Sequence, residues 1–174
     1  YWASRRLNAR KVFQFQPDNL PIHAEFWKDR TENVFEIDDT ETRLDAGVTF
    51  MGMQGHVWSE TVRSDDIVEY MAFPRIIALA ERVWHKAVWE VPYNYEGHKY
   101  NETSSVFENT FINGEPAPVV MKREWNQFAN VIARKVLPKL DLDNILYRIP
   151  TVGATLLDDK LMTNIIFPGL PIEY

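Results

Sequence analysis

The chain has 174 residues, a formal net charge of −6, 45% hydrophobic and 25% charged residues, and no cysteine. That length holds one ordinary domain with a real core, and the acidic balance argues against nucleic acid, because no basic stripe is present to meet phosphates. The missing thiols exclude disulfides and thiolate metal centres, and no apolar run approaches the ~20 residues of a membrane span.

From Tyr1 the chain runs Tyr-Trp-Ala-Ser-Arg-Arg. The alternation Lys11-Val12-Phe13-Gln14-Phe15-Gln16 predicts a short extended piece. Pro17 and Pro21 break it, and Ile22 to Arg30 has room for one or two helical turns. Between Thr31 and Asp45 stand Glu32, Glu36, Asp38, Asp39, Glu41 and Asp45 against Arg43. Their spacing lacks the alternating ligands and central glycine of a calcium loop, so a solvated acidic loop is expected.

Ala46 to Trp58 is the best strand candidate. Val48, Phe50 and Val57 are β-formers in a nearly uncharged run, the pattern of a buried parallel strand. Gly47, Gly52 and Gly55 fit tight packing or a bulge beside a site. Ser64-Asp65-Asp66 then reads as an N-cap followed by first-turn acids. Ile67, Tyr70 and Met71 follow at helical spacing. Ile77, Ala80 and Trp84 are expected on one face, ending near His85. Pro74 lacks an amide donor and must kink this helix or begin a second.

Val91 to Ala117, with Pro92, Gly97, Gly114 and Pro116, reads as a long irregular connection, a length that usually carries function or decoration. Met121 to Leu140 is the cleanest helix, with Trp125, Phe128, Ala129, Ile132, Val136 and Leu140 as its apolar stripe. The register then changes. Leu146 to Ile149 looks extended, and Ala154 to Leu157, a turn at Asp158-Asp159, and Leu161 to Phe167 predict a hairpin. Pro168 to Pro171 is a further turn, after which Ile172-Glu173-Tyr174 starts another strand. The fold expected is α/β, followed by the beginning of an all-β unit.

The stretch with the most chemistry is Gly52-Met53-Gln54-Gly55-His56-Val57-Trp58-Ser59-Glu60. A sugar pocket needs an apolar wall for the ring C–H face, which indole supplies. It also needs a carboxylate to accept from hydroxyls, and charged acceptors make the stronger hydrogen bonds. Taken alone, Trp-x-Glu more often means a core tryptophan beside a surface glutamate. Glu60 as a general acid or nucleophile lacks a well-placed second carboxylate, since Asp65 and Asp66 serve the helix start. His23-Ala24-Glu25 lacks the cysteine half of a deaminase site. His56 has room to lean toward the pocket or away, with a structural role favoured. His85 suits a helix C-terminus, and His98 lies in a loop. No histidine pair has metal-ligand spacing, and no nucleophile elbow or phosphate loop is present. No metal and no cofactor are expected.

Three blocks together carry a resemblance: Gln54 to Thr61, Glu69-Tyr70-Met71-Ala72-Phe73-Pro74-Arg75, and Ala78-Leu79-Ala80-Glu81-Arg82-Val83-Trp84. They resemble the end of the catalytic barrel of glycoside hydrolase family 20, most nearly its bacterial chitobiase branch of β-N-acetylhexosaminidases. Tyr1 to Arg5 and Lys11 to Phe13 resemble the segment between the last two barrel strands. Trp125, Phe128 to Asn130 and Tyr147 to Pro150 with Gly153-Ala154 resemble the post-barrel helix and the entry to a small β-sandwich.

The resemblance implies the C-terminal part of a (β/α)8 TIM barrel over residues 1–147 and the start of an Ig-like β-sandwich domain over 148–174. It implies exo-acting hydrolysis of terminal β-linked N-acetylglucosamine from chitooligosaccharides, with retention, the substrate's own acetamido oxygen acting as nucleophile. Trp58 would then form a wall for the non-reducing sugar. Glu60 would bind its hydroxyls, and Trp2 would stack on the leaving sugar. The Asp-Glu pair of the family's reaction matches nothing here and is expected upstream of Tyr1. The stretch would therefore be a fragment that binds sugar without catalysing alone. A periplasmic, secreted or outer-membrane-associated bacterial location follows from the resemblance only. The rival expectations are a non-catalytic chitin- or carbohydrate-binding module, with Trp2 and Trp58 as an open platform, and an interaction domain whose tryptophans are all core.

Overall fold

Asn8 opens the first element. Its side-chain oxygen accepts from the Lys11 N–H at 2.9 Å and caps α1, Ala9–Phe13. The computed structural model describes residues 7–29, 31–58, 60–167 and 170–172. The extended piece expected at Lys11 to Gln16 is therefore a helix over its first half. Ala9 and Phe13, one turn apart, are both buried on the side facing the later helices. Six residues of alternation are too few to separate a strand from one helical turn, and the cap and the burial decide it. Pro21–Glu25 follows as a 3-10 turn.

The acidic segment is mostly irregular. Ile37–Asp38 (β1) pairs antiparallel with Lys99–Tyr100 (β2). Asp39 is buried and accepts from the Tyr93 hydroxyl. Residues 46–58 do not form the expected strand, because they belong to none of the described sheets. Val48 is 41% exposed and Met51 fully exposed. A strand's backbone hydrogen bonds lie between neighbouring strands of a sheet, and no described strand pairs with this segment.

Ser64 stands at the N-cap of α2, Asp65–Ala72, with Asp65 and Asp66 in its first turn. Pro74 ends α2 and starts a second helix, α3, Arg75–Trp84, with His85 at its C-cap. The buried positions of α3 are Ala78 and Arg82, and Trp84 is 89% exposed. This overturns the expected Ala80–Trp84 face. Arg82 turns inward because a carboxylate and two aromatic rings wait for it there. Its Nη1 donates to Glu90 Oε1 at 3.1 Å. Its guanidinium carbon lies 4.8 Å from the Phe13 ring centroid and 5.2 Å from that of Trp89.

The segment from Val91 to Ala117 contributes to the core. Val91, Tyr100, Phe107 and Ala117 are buried. The Glu25 carboxylate accepts from the Val106 and Phe107 amides at 2.8 Å and from the Ser104 hydroxyl at 2.6 Å. Phe111–Ile112 (β3) and Glu115–Pro116 (β4) form a hairpin around Asn113 (φ 51°) and Gly114 (φ 86°). Asn-Gly is the pair that tolerates such a two-residue turn. The helix expected at Met121 starts earlier. It runs as α4, Ala117–Val131, a π-helical turn, Ile132–Val136, and α5, Leu137–Leu142. Pro138 cannot donate to the turn before it, and a widened turn is how a helix passes such a residue. Trp125, Ala129, Ile132 and Leu140 are buried, as the stripe predicts.

The last hairpin matches its expected turn. Gly153–Leu157 (β5) and Lys160–Asn164 (β6) pair from Gly153↔Asn164 to Leu157↔Lys160, with positive φ at Asp158 and Asp159. All of β5 is exposed. The ladder stops at Asn164, short of Phe167, because Phe167 turns away and is fully buried, its ring 5.7 Å from that of Trp125. Parts of the turn at 168–171 and the strand start at 172–174 lie outside the described residues. The core gathers on Phe13, whose ring lies 5.9 Å from Trp89, 5.4 Å from Trp125 and 5.0 Å from Phe128. α1, α3, the 85–91 turn and α4 thus share one aromatic cluster.

Candidate functional site

A groove of about 620 Å³ opens between α1, the α2–α3 pair and residues 50–58. Val12 and Phe15 line one side, Met71, Ile76 and Leu79 another, and Trp58 stands at one end of the third. α1 and α3 supply these walls because each buries part of its surface in the core, Ala9 and Phe13 in α1 and Ala78 and Arg82 in α3, and leaves its flank to the groove. Gly55 brings the third wall close. A Cβ placed there would meet Leu79 Cδ2 at 2.8 Å, so this glycine serves tight packing. Gly47 and Gly52 have open space around them.

Trp58 is 58% exposed. It is therefore no core residue of this chain, in contrast to Trp89 and Trp125, which are buried. Glu60 is exposed in the turn that follows. Trp2, the third candidate, lies outside the described residues, as does Ser59. His56 does lean toward the tryptophan. The His56 and Trp58 ring centroids are 6.0 Å apart with planes at 26°, and both rings line the groove. The two-residue spacing was the sequence signal for this contact, since alternate residues of an extended chain share a side.

The polar groups lining the groove are Lys11, Gln54, His56 and Arg75, and no carboxylate is among them. Burial lowers the Arg75 pKa, with nearby Arg148 adding to the effect. Arg75 also donates to the Leu7 carbonyl at 3.3 Å. The groove offers an aromatic face and an apolar floor, and Glu60 is not among its described lining residues. Among the described lining residues no pair of facing carboxylates, as glycosidic cleavage typically uses, is present. The described residues hold no cluster of three metal-ligating side chains.

The other histidines are accounted for by structure. His23 is buried. Its Nε2 accepts from the Gln16 N–H at 3.0 Å, and its Nδ1 lies 2.8 Å from the Leu20 carbonyl. Desolvation lowers its pKa from 6.5 to about 4, against a smaller opposing push from that carbonyl. His85 lies 2.8 Å from Glu81 Oε1 at the end of α3, and the His98 ring packs on Tyr100. Among the described residues, no helix is long and apolar enough to cross a membrane.

Residues 4–87 match the family model for the catalytic domain of glycosyl hydrolase family 20, and residues 136–174 match that for the chitobiase/β-hexosaminidase C-terminal domain. The chain is 39% identical over 174 residues to an N,N'-diacetylchitobiase of Vibrio harveyi, covering all of this chain and 18% of that protein. It is 50% identical over 134 residues to a β-hexosaminidase B of Pseudoalteromonas piscicida, covering 76% of this chain and 16% of that protein. It is 39% identical over 175 residues to a β-hexosaminidase of Vibrio vulnificus, covering this whole chain and 20% of that protein. The chain thus spans no more than about a fifth of the length of these relatives.

Proposed function

We propose, from the premise that the chain belongs to glycosyl hydrolase family 20, that it supplies substrate-binding groups to an exo-acting β-N-acetylhexosaminidase. The single observation that carries this reading is the exposed Trp58 on the wall of the groove, two residues before the exposed Glu60 in the chain. The substrate is the terminal β-linked N-acetylglucosamine of a chitooligosaccharide. Its apolar face rests on the Trp58 indole, and its hydroxyls donate to the Glu60 carboxylate. Trp2 stacks on the leaving sugar.

In this reading the reaction is retaining and substrate-assisted. The acetamido oxygen attacks the anomeric carbon as a proton passes to the leaving oxygen, and water then opens the cyclic intermediate. Among the described residues the groove lining carries no carboxylate, and in this reading the Asp-Glu pair that donates the proton and orients the acetamide comes from elsewhere in the protein. Trp58 and Glu60 act by orientation, holding the ring where its acetamide reaches the reacting carbon. Residues 1–147 complete the last part of a (β/α)8 barrel, whose other strands give residues 46–58 their hydrogen-bond partners. Residues 148–174 begin an Ig-like sandwich. The setting is periplasmic, secreted or outer-membrane-associated.

The test is hydrolysis of 4-nitrophenyl N-acetyl-β-D-glucosaminide by the full-length protein and its Glu60→Gln and Trp58→Ala variants. Loss of activity in both variants supports the reading. Chitooligosaccharide binding without any hydrolysis would replace it with the non-catalytic binding module.

A further inference from the structure

We propose that His56 is a positioning residue that holds the Trp58 indole in the orientation in which it receives the sugar. The proposal rests on the reading of Trp58 as the sugar wall. Trp58 is more exposed than any other tryptophan lining the groove. It is 58% exposed, and among the described residues His56 is the one ring stacked on it. The two planes are 26° from parallel at 6.0 Å between centroids, within the range of offset aromatic contacts.

The residue before His56 packs close to α3. Gly55 lies against Leu79 of α3: a Cβ at position 55 would meet Leu79 Cδ2 at 2.8 Å and would have to turn that leucine methyl aside. Both the His56 and the Trp58 rings line the groove. An indole held in advance loses less rotamer freedom when substrate arrives than one that must be ordered by it. His56 needs no contact with the sugar for this effect, because it acts through the orientation of Trp58. A flat ring at position 56 is the requirement, and a small side chain there removes it.

The experiment compares full-length protein with His56→Ala, His56→Phe, Trp58→Ala and the His56→Ala/Trp58→Ala double variant on 4-nitrophenyl N-acetyl-β-D-glucosaminide. His56→Ala should raise KM about three- to tenfold, the size of one aromatic contact, with kcat held within about twofold, since support of the wall acts on bound substrate and transition state alike. His56→Phe should restore KM. The double variant should be no worse than Trp58→Ala alone, because the effect passes through the indole. Tryptophan emission should change on His56→Ala in the parent and stay unchanged in the Trp58→Ala background. A normal KM in His56→Ala beside an impaired Trp58→Ala, or additive losses in the double variant, would overturn the proposal and leave the sugar wall standing. A normal KM in Trp58→Ala would overturn the sugar wall and this proposal with it.

Discussion

Arg82 and Glu90 form an ion pair that water does not reach: Nη1 to Oε1 is 3.1 Å, and the two side chains are 0% and 4% exposed. Glu90 also accepts from the Ala87 N–H at 2.8 Å with the same oxygen, so the pair ties the end of α3 to the turn that carries Trp89. Burial pushes the Glu90 carboxyl up and the Arg82 guanidinium down. Removing one partner leaves the other charge uncompensated. Glu90→Gln should destabilise by roughly 3–5 kcal/mol. An Arg82→Met/Glu90→Leu double variant should recover most of that loss, because well-packed apolar groups often replace a buried pair at little cost. Denaturant midpoints of the full-length protein decide it, and a Glu90→Gln loss below about 1 kcal/mol would contradict the geometry.

His23 gives the fold an acid-side weakness. The Gln16 N–H can only donate, so Nε2 must be an unprotonated acceptor and Nδ1 the donor to the Leu20 carbonyl. The folded pKa is about 4 against 6.5. Between these values the unfolded chain binds the proton and the folded chain does not. Stability is therefore full above about pH 6.5 and falls as the pH drops toward 4, by roughly 3 kcal/mol in all. Unfolding midpoints measured at pH 7 and pH 5 should show the fall. His23→Gln should be weaker at pH 7 but lose less on acidification; an equal loss in both proteins would place the effect elsewhere.

Glu60→Gln keeps the size of the side chain and removes the charge that strengthens hydrogen bonds from sugar hydroxyls. In full-length protein it should raise KM and lower kcat, reducing kcat/KM by roughly 10- to 100-fold. Unchanged kinetics would remove Glu60 from the site.

Phe167 joins the chain's last described segment to α4 through Trp125. Phe167→Ala should cost roughly 3–5 kcal/mol, the range for emptying a buried aromatic position, and should expose the segment after Asn164 to proteolysis. Protection equal to that of the parent protein would show that the segment is held by other contacts.

Several elements follow directly from local signals. Ser64-Asp65-Asp66 and Pro74 carry their own start and break chemistry, and α2 and α3 fall where those residues put them. The Trp125–Leu140 stripe and the Asp158-Asp159 turn were equally plain. Lys11 to Gln16 alternates like a strand, yet Asn8 and the burial of Phe13 make its first half a helix. Ala80 and Trp84 look like a core face, yet Arg82 takes the interior because Glu90, eight residues on, accepts it there. Asn113-Gly114 was a readable hairpin signal inside a segment taken as irregular.

By itself the sequence determined the chemistry available: no thiols, an acidic balance, helix caps and breaks at named residues, and a Trp-x-Glu triplet set among blocks that resemble one family. It left open whether Trp58 was a core residue and which way His56 leaned. The tertiary structure alone decided that Trp58 is exposed on a groove with His56 stacked on it, and that Arg82 points inward. The reason is physical. Caps, turns and helical stripes act between residues a few positions apart, whereas burial and stacking depend on which distant segments come to lie alongside.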